Sequence, residues 1–180
     1  MLQLKIEATD LWDERKEEFV YVKEQTIKLE HSLVSVSKWE SKWNKSFLES
    51  VKNFSLEESL DYIKCMTITQ NVDPYLYSAL SSYDIQLINN YIDSPMTATT
   101  IRELKENKKK EIITSEIIYY WMILYRIPFE CQKWHLNRLL TLIKVCSIKS
   151  QPEKKMTKRE TMLYQHKLNE ERKIKYNTKG

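Results

Sequence analysis

Glycine is almost missing from this chain: of its 180 residues, only Gly180 is a glycine. Glycine supplies the left-handed turns and the close backbone approaches to phosphate on which nucleotide-binding loops depend. The shortage therefore excludes Walker and Rossmann glycine loops, and it disfavours tightly turned all-β folds. Helices joined by Asn, Asp, Ser and Pro turns are the expected architecture.

Cysteine and histidine are also scarce. Cys65, Cys131 and Cys146 are far apart and form no CxxC pair, which indicates reduced thiols rather than a disulfide framework. Cys131 and His135 are spaced to face one metal ion from a helix, but zinc needs three or four protein ligands and the other two histidines are distant in sequence. We predict a packed thiol and imidazole, with no metal, no cofactor and no catalytic residue.

No stretch has the character of a signal peptide or a membrane span. The N-terminus, MLQLKIEATD, has acidic residues where a signal peptide needs an apolar segment. Charged side chains interrupt the most apolar stretch, residues 111–149, before it reaches the roughly 20 residues of a bilayer span. We expect action in the cytoplasm, without a membrane partner.

The composition, with 42% hydrophobic and 30% charged residues, fits one folded domain with a solvated surface. The net charge of +4 is unevenly distributed. Residues 149–180 contain ten Lys/Arg and four Glu, so the basic charge belongs to the C-terminal tail.

The first 30 residues show strand periodicity. Leu2, Leu4 and Ile6 alternate with polar residues, and alternation returns around Val20 and Val22. An isolated hairpin is marginal in water. We therefore predict a small antiparallel β unit whose apolar face packs on helices.

Helical signals follow the β unit. Trp39 and Trp43 are four residues apart and would share one helix face. Ser55 and Glu58 form an S-x-x-E capping box that begins another helix. Asp84 is predicted to cap a further helix.

Residues 111–149 are predicted to form a central hairpin of two helices separated at Pro128, which cannot continue the first helix but suits the first turn of the second. Each helix carries an apolar stripe that we expect to face the core. The stripes are Ile113, Ile117, Tyr120 and Leu124 on the first helix, and Leu136, Leu139, Leu140 and Ile143 on the second.

Polar groups interrupt this hairpin. Glu116 lies on the first helix, and His135 and Arg138 lie on the second. Buried charges persist when they are paired. We predict a structural pair between Glu116 and His135 or Arg138, and a shared catalytic cleft is the less favoured alternative.

The basic tail resumes helical character after Pro152, over residues 158–175, with few large aliphatic side chains. It could bind phosphate backbones weakly, dock on an acidic partner protein, or form a solvated helix. The candidate partner-binding residues are Lys154, Lys155, Lys158, Arg159, Arg172, Lys173 and Lys175.

Three stretches together resemble a known family: LEHSLVSVSKWESKW, EIIYYWMILYRIPFECQKWHLNRLLTLIKVC and KKMTKRETM with LNEERKIKYNTKG. They are similar to small proteins from the late, structural-gene region of long-tailed bacteriophages, the tail assembly chaperones. The resemblance implies a noncatalytic function, in which the chain keeps the long helical tape measure protein soluble while the tail tube polymerises around it.

These observations predict an α+β fold that is mainly α. An N-terminal antiparallel β unit (residues 1–30) and a helical core (31–149) would form one domain, followed by a basic C-terminal helix in residues 150–180. The expected function is that of a non-enzymatic tail assembly chaperone in the host cytoplasm. Its partners would be tape measure or tail tube proteins, nucleic acid binding would be weak, and a homo-oligomer is left open. The alternatives are a virion component, such as a tail or head–tail connector subunit, and a small nucleic-acid-binding or host-directed accessory protein.

Overall fold

Four short strands at the N-terminus pair as two antiparallel ribbons, which confirms the predicted β unit. The computed structural model describes residues 1–14, 16–101, 112–150 and 158–176. In the pair formed by the first and fourth strands, alternate residues such as Leu4, Ile6 and Ile27 are buried, because a strand directs every second side chain to the same face. The pairs are β1 (Leu2–Ile6) with β4 (Gln25–Leu29), and β2 (Thr9–Asp13) with β3 (Glu18–Val22).

Helices make up most of the remaining described residues, so the fold is α+β and mainly α, as predicted. Short 3-10 helices cover Val51–Asn53, Pro74–Ala79 and Phe129–Lys133. By internal contacts the chain divides into two compact units, Met1–Ser147 and Ile148–Gly180. The α-helices are α1 (Leu33–Trp43), α2 (Phe47–Ser50), α3 (Leu56–Met66), α4 (Ser82–Asp93), α5 (Ser115–Leu124), α6 (Leu136–Ser150) and α7 (Lys158–Tyr176).

The first helix, α1, is the centre of the core. It packs against α2, α3, α5 and the 3-10 helix at Phe129–Lys133. Trp39 is fully buried, stacks on Trp43 at a centroid distance of 6.2 Å, and donates its indole N–H to the Glu58 carbonyl at 3.1 Å. The predicted shared face of the two tryptophans is confirmed.

Capping boxes begin α3 and α4. The Ser55 hydroxyl accepts from the Glu58 amide, and the Glu58 carboxylate accepts from the Ser55 amide, as predicted. The prediction for α4 placed the cap wrongly. Ser81 is the N-cap and Asp84 is the third helical residue, whose carboxylate accepts from the Ser81 amide at 2.9 Å. Asp84 is thus the reciprocal member of a capping box.

The predicted core stripe of α5 lies mostly on the wrong face, although Ile113, which precedes the helix, packs half-buried against the core and Ile117 is half-buried. Ser115, Ile118 and Met122 are buried, whereas Tyr120 and Leu124 are exposed. At 100° per residue, the buried residues lie on the side of the helix opposite the predicted stripe. The predicted stripe of α6 is largely confirmed, since Leu136, Leu139 and Ile143 are buried and Leu140 is half-buried.

The link between α5 and α6 is longer than predicted. Pro128 precedes a 3-10 helix rather than opening α6, which begins only at Leu136. The Leu136 amide donates to the His31 carbonyl at 2.8 Å, so the start of α6 is attached to the chain just before α1.

A buried carboxylate does lie at the start of α5, but it belongs to Glu40 of α1 rather than to Glu116. Its two oxygens accept the backbone amides of Phe47 and Ser115, each at 2.8 Å, and so join the first residues of α2 and α5. The predicted pairing of Glu116 is wrong, because Glu116 is exposed in the first turn of α5. The pKa of its carboxyl is lowered by its own backbone N–H and then by the Thr114 hydroxyl.

The sequence predicts a mobile loop over residues 96–110. Residues 102–110 of this stretch lie outside the described residues.

Within the described ranges, no helix combines the length and apolarity that crossing a bilayer requires.

Candidate protein-binding surface

An apolar surface is exposed on α5, on the side turned away from α1. We call Tyr120, Ile123 and Leu124 the outer face of α5; their exposures are 59%, 62% and 54%. Phe129, just after the helix, and Ile112, just before it, are also more than half exposed. Contiguous exposed apolar groups of this kind mark protein interaction sites on soluble folds.

Next to the outer face is a cavity of about 660 Å³. Trp121 and Tyr125 of α5 form one wall, and Leu140 and Ile143 of α6 contribute to another. The volume lies within the range of about 300–1,000 Å³ that is typical of ligand pockets. Aromatic and aliphatic groups form most of the lining, so the cavity suits an apolar side chain, and the charged Asp93 and Lys144 also line it.

Charged residues border the outer face. Glu116, Arg126 and Glu130 are exposed around it, with both signs of charge present. An apolar centre with a polar, charged rim is the usual anatomy of a protein–protein interface. The arrangement therefore fits an amphipathic helix whose apolar stripe would lie along α5.

The residues first considered for metal binding or catalysis form a buried histidine cluster instead. His31 and His135 have ring centroids 5.0 Å apart, His31 is hydrogen-bonded to the Tyr62 hydroxyl, and His135 Nε2 is 2.9 Å from the Tyr91 carbonyl. Cys131 is buried and unbonded to another cysteine. Within the described part of the chain, no group of three metal-ligating side chains occurs.

Burial disfavours the protonated form of both histidines. It lowers the pKa of His31 from 6.5 to about 3, with a smaller contribution from His135, and it lowers the pKa of His135. The unfolded chain therefore binds more protons than the folded chain below the ordinary histidine pKa, and stability falls as the pH falls.

We predict that lowering the pH from 7.5 to 5 costs about 2 kcal/mol of unfolding free energy through His31 alone, with a further loss through His135. Urea denaturation at the two pH values, followed by tryptophan fluorescence, measures this loss. His31→Gln, which keeps a hydrogen-bonding group but does not titrate, should flatten the pH dependence. An equal pH dependence in wild type and variant would contradict the assignment to His31.

The candidate tail residues are exposed where their side chains are described. Arg159, Arg172, Lys173 and Lys175 are exposed on α7, Lys158 is the first residue of α7, and Lys154 and Lys155 lie outside the described residues. Their role in partner binding remains a prediction.

Sequence periodicity missed the outer face of α5, although one signal was available. Eight of the ten residues of α5, SEIIYYWMIL, are apolar. A helix that is apolar all round is either surrounded by protein or available to a partner. Ile123, for example, belongs to no predicted stripe.

Comparisons with protein-family models, curated protein sequences and solved structures yield no match to this chain.

Proposed function

We propose that this chain is a noncatalytic phage morphogenesis protein, a tail assembly chaperone that binds the tape measure protein during tail assembly through the outer face of α5. The observation that carries the proposal is the exposure of Tyr120, Ile123 and Leu124 opposite a fully buried face of the same helix. A chaperone for a long helical protein needs to cover an apolar helical stripe until assembly, and an exposed apolar helix with a charged rim has this capacity.

The cavity beside α5 supports the same proposal. Interface energies are dominated by a few large side chains inserted into pockets. Trp121 and Tyr125 would receive such an anchor from the partner. Leu124, which is exposed on the outer face, would contact the partner's apolar stripe. Release during tail assembly is compatible with this mode, because apolar contacts can be exchanged for those of the polymerising tube.

The test is co-expression of the full chain with the tape measure protein, followed by co-purification. We expect Leu124→Glu to reduce recovery of the partner at least about tenfold, because a charge would be buried against apolar surface. Leu56→Glu is the matched control, since Leu56 is 77% exposed on α3 and its replacement should retain the partner. Equal recovery with both variants would contradict the proposed surface.

Mass spectrometry of purified virions beside infected-cell lysate separates the chaperone from a structural subunit. A chaperone should be abundant in the lysate and absent from the particle. Recovery in the particle at a fixed ratio to tail proteins would favour the virion component instead.

A further inference from the structure

A second exposed surface lies on the ribbon formed by β2 and β3, far in sequence from α5. Trp12, Phe19 and Tyr21 are 53%, 71% and 60% exposed. Trp12 lies opposite Phe19 in the strand register, with ring centroids 5.0 Å apart, and Tyr21 lies opposite Asp10. The period of two places all four side chains on one face of the ribbon, which we call the aromatic face.

The other face of the ribbon packs inward. Val22 is fully buried and Leu11 packs against the core. The Tyr75 hydroxyl donates to Asp13 at 2.8 Å, and both strands pack on the 3-10 helix at Pro74–Ala79. Since the fold holds the ribbon from this side, the three aromatic rings are displayed on a supported surface.

Charge determines which partner the aromatic face suits. Residues 7–18 contain six acidic and two basic residues, a net charge of −4, and Asp10, Glu14 and Glu17 are exposed. Aromatic rings could stack on nucleic acid bases, but this field repels phosphates. Rings beside carboxylates instead favour Lys and Arg, which gain cation–π contacts as well as ion pairs.

The chain itself carries a segment of this chemistry. Residues 149–180 have ten Lys/Arg and four Glu. On α7, Tyr164, Leu168, Arg172 and Lys175 recur at i, i+4, i+8 and i+11, so they share one side of the helix. This side, which we call the cationic stripe, combines two cations with an aromatic and an aliphatic residue, and Glu171, four residues before Lys175, borders it. The charge complementarity therefore rests on α7 as a whole, which has six Lys/Arg and three Glu.

From this complementarity of charge and aromatic surface we infer that the aromatic face of the β2–β3 ribbon binds the cationic stripe of α7 from a second copy of the chain. The contact is heterologous, because it joins two different surfaces. It generates a closed ring if the rotation between neighbouring copies closes, and an open assembly if it does not. The inference does not depend on the chaperone function, because it uses neither the outer face of α5 nor the tape measure protein.

Sedimentation velocity of the full chain tests the inference. We expect reversible, concentration-dependent association at about 50 mM salt and a shift toward the 21.7 kDa monomer at about 500 mM, where the Debye length is roughly 4 Å. A chain that stays monomeric at low salt and high concentration would overturn the inference.

Charge reversal identifies the two surfaces. Asp10→Lys with Glu17→Lys on the ribbon, or Arg172→Glu with Lys175→Glu on the stripe, should each weaken self-association at least about tenfold. Mixing the two variants should restore association, because each then meets a surface of opposite charge. Failure of the mixture to associate would overturn the pairing.

Two controls separate this contact from others. Arg159→Glu with Lys173→Glu makes the same charge change on the opposite side of α7, and association should persist. Leu124→Glu on α5 should also leave it unchanged. If either control abolishes association while Asp10→Lys with Glu17→Lys retains it, the interface lies on another surface and the inference is overturned. Because the chaperone test measures tape measure recovery, failure of one proposal leaves the other intact.

Discussion

Replacing Ile118 by Ala is expected to cost about 2–5 kcal/mol of unfolding free energy, because it removes a fully buried aliphatic group and leaves a cavity against α1. Tyr120→Ala, two residues further along α5, should cost under about 1 kcal/mol since Tyr120 is mostly exposed. Urea denaturation at pH 7.5 measures both changes.

This pair of variants decides which face of α5 belongs to the core. The sequence predicts that Tyr120 is buried, and the structure buries Ile118 instead. A larger loss for Tyr120→Ala than for Ile118→Ala would restore the sequence-based orientation. It would also remove the outer face of α5 as a binding surface, so the stability experiment bears directly on the proposed function.

Replacing Glu40 by Ala is expected to cost about 3–5 kcal/mol, because two buried amides lose a charged hydrogen-bond acceptor at once. Neither helix has a substitute, since the N-cap residues Ser46 and Thr114 make no side-chain capping bond. Glu40→Gln keeps only one acceptor oxygen and should lose about half as much. Denaturation with urea gives the free energies.

Hydrogen exchange shows whether the loss comes from the proposed bonds. In Glu40→Ala, the amides of Phe47 and Ser115 should both exchange faster than in the wild type, and in Glu40→Gln at least one of them should, while those of α3 should change little. Glu7→Ala, at an exposed glutamate between β1 and β2, is the control and should cost under about 1 kcal/mol. Unchanged protection at both amides would show that Glu40 does not hold the two helices together.

If the predictions for Ile118→Ala and Glu40→Ala both hold, the outer face of α5 depends on α1 for its position. Its buried residues fix one side of α5, and Glu40 fixes the beginning of α5. The exposed apolar side is then presented by a helix anchored at its first residue and along its length. A helix held in this way loses less conformational freedom on binding than a mobile one, which favours affinity.

The two proposed surfaces differ in their expected response to salt. The outer face of α5 is apolar, so binding there should change little as ionic strength rises. The contact between ribbon and cationic stripe is electrostatic and should weaken. Measuring tape measure binding and self-association over the same salt series would therefore show whether they are independent.

Local signals in the sequence were sufficient for much of the fold. Alternation in the first strands, the Ser55–Glu58 capping box and the apolar spacing of α6 each depend on residues within a few positions of one another. Such patterns specify a strand, a helix start or a helix face before any tertiary contact exists. The mainly helical α+β class followed from these patterns and from the shortage of glycine.

Only the tertiary structure decided which side of α5 faces inward and what Glu40 does. The sequence of α5 is apolar on nearly every side, so periodicity assigns no unique buried face, and the choice depends on packing against α1. Glu40 and Ser115 are 75 residues apart, and their bond exists only after α1 and α5 meet. The class and position of the elements were thus determined by local sequence, whereas the candidate binding surface was determined by the contacts between distant segments.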